Sequence, residues 1–178
     1  MKTSPNLLVF PHAIQTYEHD CGAAMLQGVL MYYGIEVRQE LIFKSAKTNA
    51  RVGTLISGML STLDMYGLQY DSSEMTLDEI KGYLDKKIPV LILLQAWSLK
   101  TDDYAKHYGD SHWVAAIGYD KQNIYFEDPY AFNRVFLTQK AFLERWHARE
   151  SKKKIKNHGI AVYGKKPVYH TDTIVPML

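Results

Sequence analysis

The only cysteine of the chain, Cys21, lies in Asp20-Cys21-Gly22-Ala23-Ala24-Met25, where the polar stretch Gln15-Thr16-Tyr17-Glu18-His19-Asp20 turns into an apolar run reaching Tyr33. A thiol nucleophile needs a base to hold its proton and a third group to orient that base. Of the seven histidines, His112 stands apart because it opens the β-rich run His112-Trp113-Val114-Ala115-Ala116, which would hold its backbone rigidly. Asp128 ends the next such run, just before Pro129. Side chains alternate between faces along a strand, so the even spacing from His112 to Asp128 matters. An odd-length hairpin loop puts the two on one face. A three-residue loop Tyr119-Asp120-Lys121 would set them directly opposite, with Cβ atoms ~4.5–5.5 Å apart, within reach of an imidazole–carboxylate hydrogen bond. A four-residue loop without a bulge would put them on opposite faces. Gln15, in the polar loop before Cys21, could supply an amide donor which, with the Cys21 backbone N–H, would stabilise the oxyanion of an attacked carbonyl. His12, His19, His107, His147, His158 and His170 lack such a setting, and His19, though close to Cys21, is expected to point outward.

The elements that must place these groups can be read from periodicity. Apolar residues after Cys21 recur at helical spacing, so a largely buried helix is expected, capped by Asp20 and stopped at Gly34. Cys21 then falls in the first turn, where unpaired backbone N–H groups and the positive end of the helix dipole favour a thiolate. Leu7 to Phe10 reads as a short edge strand and Gln39 to Lys47 as an amphipathic helix. A further helix is expected with Thr54 as its cap and Gly67 as its end, followed by a short strand over Leu68 to Tyr70. Thr76-Leu77-Asp78-Glu79 is a capping box opening a helix to about Lys87.

The period changes in the second half. Val90 to Ala96 is a continuous apolar run, read as a buried strand, and 98–111 is a polar loop. His112 to Tyr119 and Ile124 to Glu127 flank a hairpin turn, and Asp128-Pro129 ends the second strand. Phe136-Leu137 and Gly159 to Tyr163 suggest two more strands, with a helix over Ala141 to Ala148. Lys152-Lys153-Lys154-Ile155-Lys156 reads as a solvated connection in preference to an anion site. The fold class is therefore α+β, a helical first half packed on an antiparallel sheet from the second. One domain over 1–165 and an extended tail over 166–178 are expected.

The chain has 178 residues and a net charge of +2, with 21 basic and 19 acidic side chains. That balance leaves no footprint for nucleic acid or an anionic membrane, and no apolar stretch is long enough for a membrane span. One cysteine excludes an intramolecular disulfide and a cysteine-rich zinc site, and the scattered histidines suggest no metal or other cofactor. A free thiol suits a reducing cytoplasm.

On these blocks the sequence resembles the C39 family of papain-like cysteine peptidases, whose members include leader-removing domains fused to bacteriocin-exporting transporters. The likeness runs through Gln15-Thr16-Tyr17-Glu18-His19-Asp20-Cys21-Gly22-Ala23-Ala24, Tyr32-Tyr33-Gly34, Gly53-Thr54, Lys87-Ile88-Pro89-Val90, His112-Trp113-Val114-Ala115 and Asp128-Pro129, and covers about Phe10 to Tyr163. It implies a papain-like fold and a Cys–His–Asp triad. Cys21 would be the nucleophile, His112 the base and then acid, Asp128 the orienting group and Gln15 the oxyanion donor. No transporter segments follow, so a transporter or precursor-peptide partner would be encoded separately. The expected substrate is a peptide or protein amide, hydrolysed through an acyl-enzyme. Two alternatives stay open: a catalytically silent peptide-binding domain, and a papain-fold acyl transferase.

Overall fold

Val90–Gln95 is buried at every position, and a strand with no solvent-facing side must be covered on both faces. The computed structural model, which describes residues 5–100, 103–172, 174 and 176, shows how that is done. Helices α1 (Cys21–Tyr32), α2 (Gln39–Ala46) and α3 (Ile56–Met65) come first, then β1 (Gln69–Glu74), α4 (Leu77–Asp85) and β2 (Val90–Gln95). The chain continues through β3 (Ser111–Tyr119), β4 (Asn123–Glu127), β5 (Val135–Thr138), α5 (Gln139–Arg145), β6 (His147–Glu150), β7 (Lys153–Lys156) and β8 (His158–Tyr163). Six strands form one antiparallel sheet in the order β1-β8-β2-β3-β4-β5, and β6 pairs with β7 in a separate hairpin.

Alternation along β2 and β3 divides the core in two. Leu91, Leu93, Trp113 and Ala115 pack with Met25, Leu26, Val29 and Leu30 of α1 and with Met59 and Leu63 of α3. Ile92, Leu94, Val114 and Ala116 pack with Ile80 and Leu84 of α4 and with Phe142 of α5. The class is α+β as expected, with the central helix α1 buried along ten of its twelve residues. Each large apolar side chain so enclosed contributes about 1.5–3 kcal/mol relative to exposure.

Several local expectations hold. The Thr76–Glu79 capping box is present, with both reciprocal hydrogen bonds, and Gly34 and Gly67 adopt the positive φ that ends their helices. Others are corrected. Leu7 makes only an isolated bridge to Gly118, helped by a bond from the Leu8 N–H to Ile117 O. Gly118 is needed there, since a Cβ would lie 2.6 Å from the Leu7 side chain. Thr54 does not cap α3. Its hydroxyl pairs with Thr48 Oγ1 at 2.7 Å, and the Ile56 N–H at the helix start is taken by Glu150 Oε1 at 2.6 Å.

The helix expected over 141–148 stops at Arg145 because Trp146 leaves helical geometry, stacks on Phe142 and donates its indole N–H to His158 O. Ala148 lies in β6. The lysine run expected to be a connection is strand β7. In the tail, the N–H groups of Val168 and Tyr169 bond to Tyr32 O. That contact sits at the C-terminal end of α1, roughly 17 Å along the axis from Cys21 at 1.5 Å per residue. Positions 101–102 of the polar loop and 173, 175, 177 and 178 of the tail lie outside the described residues.

Candidate active site

Asp20 occupies the N-cap position of α1, yet its carboxylate makes no capping bond. Fully buried, it turns back to accept the N–H groups of Thr16 at 3.0 Å and Tyr17 at 3.1 Å, closing the loop in front of the helix. The first helical N–H groups have no intrahelical acceptor, and Asp20 gives them no side-chain cap. Cys21 is the first residue of that turn. Gly22 follows because the helix start is pressed against its neighbours: a Cβ there would lie 2.6 Å from Thr54 Cβ and 2.9 Å from Trp113 Cδ1. The Trp113 indole, donating to Thr54 O at 2.9 Å, ties this contact to β3.

His112 and Asp128 come together by a route different from the simplest one expected. The turn between β3 and β4 has four residues, Asp120 to Asn123, since Tyr119 pairs with Ile124. Alone it would place the two side chains on opposite faces. The register then shifts between Ala116 and Gly118, leaving Ile117 as an extra residue. That bulge restores parity. With Ala115 opposite Glu127, Asp128 continues as the diagonal neighbour of His112 on the same face, and diagonal neighbours are within reach of long side chains. His112 Nε2 meets Asp128 Oδ1 at 2.8 Å, and Cys21 is the other group whose interaction favours a charge on the imidazole. With Nε2 on the carboxylate, Nδ1 is the nitrogen left for sulfur.

Both members of the pair are buried. Burial opposes a charge on His112, but its interactions with the Asp128 carboxylate and with Cys21 outweigh that, and the imidazole is pushed up from 6.5 to about 10. For Asp128, burial raises and His112 lowers, helped by the Tyr130 N–H and the Trp97 indole, and the balance lies below the ordinary 3.8. The Tyr130 N–H reaches Asp128 Oδ1 at 2.9 Å, and Trp97 Nε1 reaches Oδ2 at 2.9 Å.

The Gln15 loop is held against the same turn, by the Gln15 N–H to Pro129 O at 2.9 Å. Next to it, His12 Nδ1 pairs with the buried Glu127, whose other oxygen takes Arg134 Nε at 3.1 Å. The Gln15 side chain gives one amide hydrogen to Tyr17 O at 2.8 Å, while its Oε1 is buried without a partner. His19, expected to point outward, lines the cleft and stacks on Tyr17. Sequence reasoning missed Trp97, Glu127 and Glu150. A tryptophan and a glutamine (Gln95) terminating an otherwise apolar strand were the available signal for the first.

Cys21 opens onto a cleft of about 490 Å³ between the Arg51–Leu55 segment and a wall formed by Tyr108, Gly109, Ser111 and Arg149–Ser151. Among the described residues no cluster of histidine, cysteine or carboxylate side chains could hold a metal, and no helix is long and apolar enough to cross a membrane.

A central cysteine helix, packed on an antiparallel sheet that carries a histidine–aspartate pair, places the chain in the papain-like fold class. Residues 7–154 match the model of the Peptidase_C39 like family, and the chain belongs to that family. Similar solved structures include the peptidase domain of Streptococcus ComA, a bi-functional ABC transporter of a quorum-sensing pathway. It has TM-score 0.67 and 17% identity, and the match covers 86% of this chain and 98% of that one. A double glycine motif protease from an AMS/PCAT transporter, solved with its leader peptide, gives 0.65 and 20%, with 93% and 97% covered. A Bacillus anthracis protein described as C39-like gives 0.66 and 18%, with 93% and 100% covered. No curated protein matches the chain in sequence.

Proposed function

We propose that the chain is a cysteine peptidase-like thiol hydrolase that cleaves a peptide or related amide through an acyl-enzyme on Cys21. The observation that carries this reading is the His112 imidazole, held by the Asp128 carboxylate at 2.8 Å and pushed up by its interactions with both Asp128 and Cys21. Asp128 fixes the ring through Nε2, so Nδ1 can take the thiol proton and hold it as imidazolium. Sulfur attacks the amide carbonyl, and the C–N bond breaks as His112 returns that proton to the departing amine. Water then adds to the thioester, giving a proton to His112, and the acid leaves as the thiol is re-formed. The oxyanion of each tetrahedral intermediate would be met by the Cys21 N–H and by the second amide hydrogen of Gln15, the first being given to Tyr17 O.

Family membership supports a peptide as substrate. The relatives from transporters, one of them solved with a leader peptide, suggest a separately encoded transporter or precursor peptide as partner. A free thiol nucleophile fits a cytoplasmic location.

Iodoacetamide labelling tests the site directly. Cys21 in the wild-type chain should alkylate at neutral pH about tenfold faster or more than in His112→Ala, because the variant lacks the imidazolium that stabilises thiolate. Cleavage of a peptide library should vanish in Cys21→Ala. Equal alkylation rates, with cleavage unchanged by Cys21→Ala, would overturn the assignment.

A further inference from the structure

The β6–β7 hairpin carries five cations, Arg149, Lys152, Lys153, Lys154 and Lys156, against one carboxylate, Glu150, in a chain whose net charge is only +2. Its register sets Arg149 directly opposite Lys154. Like charges directly opposite destabilise a strand pair, so a cross-strand cation pair has a cost that a ligand anion would remove. Both cations gather on one ring. Lys154 Nζ lies 4.4 Å and the Arg149 guanidinium 5.9 Å from the centre of Tyr108, whose ring lies tilted against His147 with centres 4.3 Å apart. Among the described residues no carboxylate forms an ion pair with Arg149, Lys154 or Arg51.

This cluster borders the cleft that Cys21 lines. Tyr108 and Arg149 form one wall and Arg51 stands in the lining too. The Arg149 N–H is bonded to Ser111 Oγ at 3.2 Å, one residue before His112, so the hairpin is fixed to the strand that carries the imidazole. In the lining itself Arg51 and Arg149 face two carboxylates, Glu18 and Glu150, the second of which also accepts the Ile56 N–H at the start of α3, and Lys154 adds its charge beside Arg149 on the Tyr108 ring.

We propose that the cleft selects a peptide with an acidic side chain, whose carboxylate sits between Arg149 and Lys154 over Tyr108. This deepens the hydrolase reading and rests on it for the role of the cleft. It commits to a carboxylate-bearing peptide because Arg51 and Arg149 line the same cleft as Cys21, with Lys154 beside Arg149 on the Tyr108 ring.

The test separates the two ideas. A fluorescein-labelled Glu-Ala repeat peptide and its Gln-Ala counterpart are titrated against the full-length Cys21→Ala chain, where binding needs no turnover. The acidic peptide should bind about fivefold tighter at low salt, the scale of one partly exposed ion pair, and added salt should narrow the difference. Arg149→Glu/Lys154→Glu should abolish or invert the preference, and Arg149→Gln/Lys154→Gln should abolish it, with circular dichroism checking that both remain folded. Equal binding of the two peptides by the Cys21→Ala chain, or a preference that survives charge reversal, overturns the inference. Wild-type chain that binds the acidic peptide preferentially yet cleaves no library peptide defeats the hydrolase reading alone. Cys21-dependent cleavage with no enrichment of Asp or Glu near the cut bond defeats the acidic selection alone.

Discussion

The Trp97 indole donates to Asp128 Oδ2 at 2.9 Å, the carboxylate oxygen that His112 leaves unused. Trp97 reaches it from a left-handed backbone conformation with φ 57, which for an L-residue costs roughly 1–2 kcal/mol. Its ring also lies against Tyr130, 5.0 Å between centres. The strained turn directly after β2 thus delivers a third hydrogen bond to the buried carboxylate, and that bond offsets the strain.

Trp97→Phe keeps an aromatic ring against Tyr130 and removes only the donor. Stability near neutral pH should fall by about 1 kcal/mol, the net value of an average hydrogen bond. The acid limb of unfolding should also move to higher pH, because Asp128 loses one of the groups that hold it ionised. Urea denaturation across the acid range measures both. An unchanged midpoint and an unchanged acid limb would mean that the indole contributes nothing to Asp128.

The His112–Asp128 pair should shape stability on both sides of neutrality. His112 is raised from 6.5 to about 10, so its contribution is complete below about 6.5 and is lost as pH climbs from there toward about 10. Asp128 is held below 3.8, so its contribution is complete above that value and disappears as pH falls through the folded one. Both are complete between about 3.8 and 6.5. Unfolding free energy against pH should therefore decline on each side of that window, and Asp128→Asn should flatten both declines. Superimposable profiles for variant and wild type would contradict the linkage.

Gly22→Ala introduces a Cβ 2.6 Å from Thr54 Cβ, closer than carbon atoms can sit, with the Trp113 ring blocking retreat. We expect a loss of about 1–3 kcal/mol, as for overpacking elsewhere in protein cores, and slower alkylation of Cys21 as the helix start is displaced. Calorimetry and iodoacetamide labelling check the two effects. A variant as stable and as reactive as wild type would show that the helix start is not packed as described.

Much of this was legible in the sequence because it is local. Cys21 at a polar-to-apolar junction, the Thr76–Glu79 box and the β-rich runs flanking Asp120–Asn123 each depend on neighbours a few residues away. What was not legible depends on partners far along the chain. Glu150 supplies the acceptor for Ile56, 94 residues earlier, so no motif near Thr54 could reveal it. The end of α5 is decided by the reach of the Trp146 indole to His158 O, against a sequence whose propensity would continue the helix. The lysine run reads as a connection because the first half of its pairing partner, His147 and Ala148 of β6, carries the apolar spacing of that same helix.

The extra residue at Ile117 and the even turn at Asp120–Asn123 constrain how this hairpin can change in length. Deleting one residue from the turn, or removing the bulge alone, leaves the strands either strained in their present register or slipped by one position, with the carboxylate turned away from the imidazole. Altering both together restores the match. Insertions and deletions in this hairpin should therefore be tolerated in pairs, and a screen of loop-length variants would recover the doubles while losing the singles.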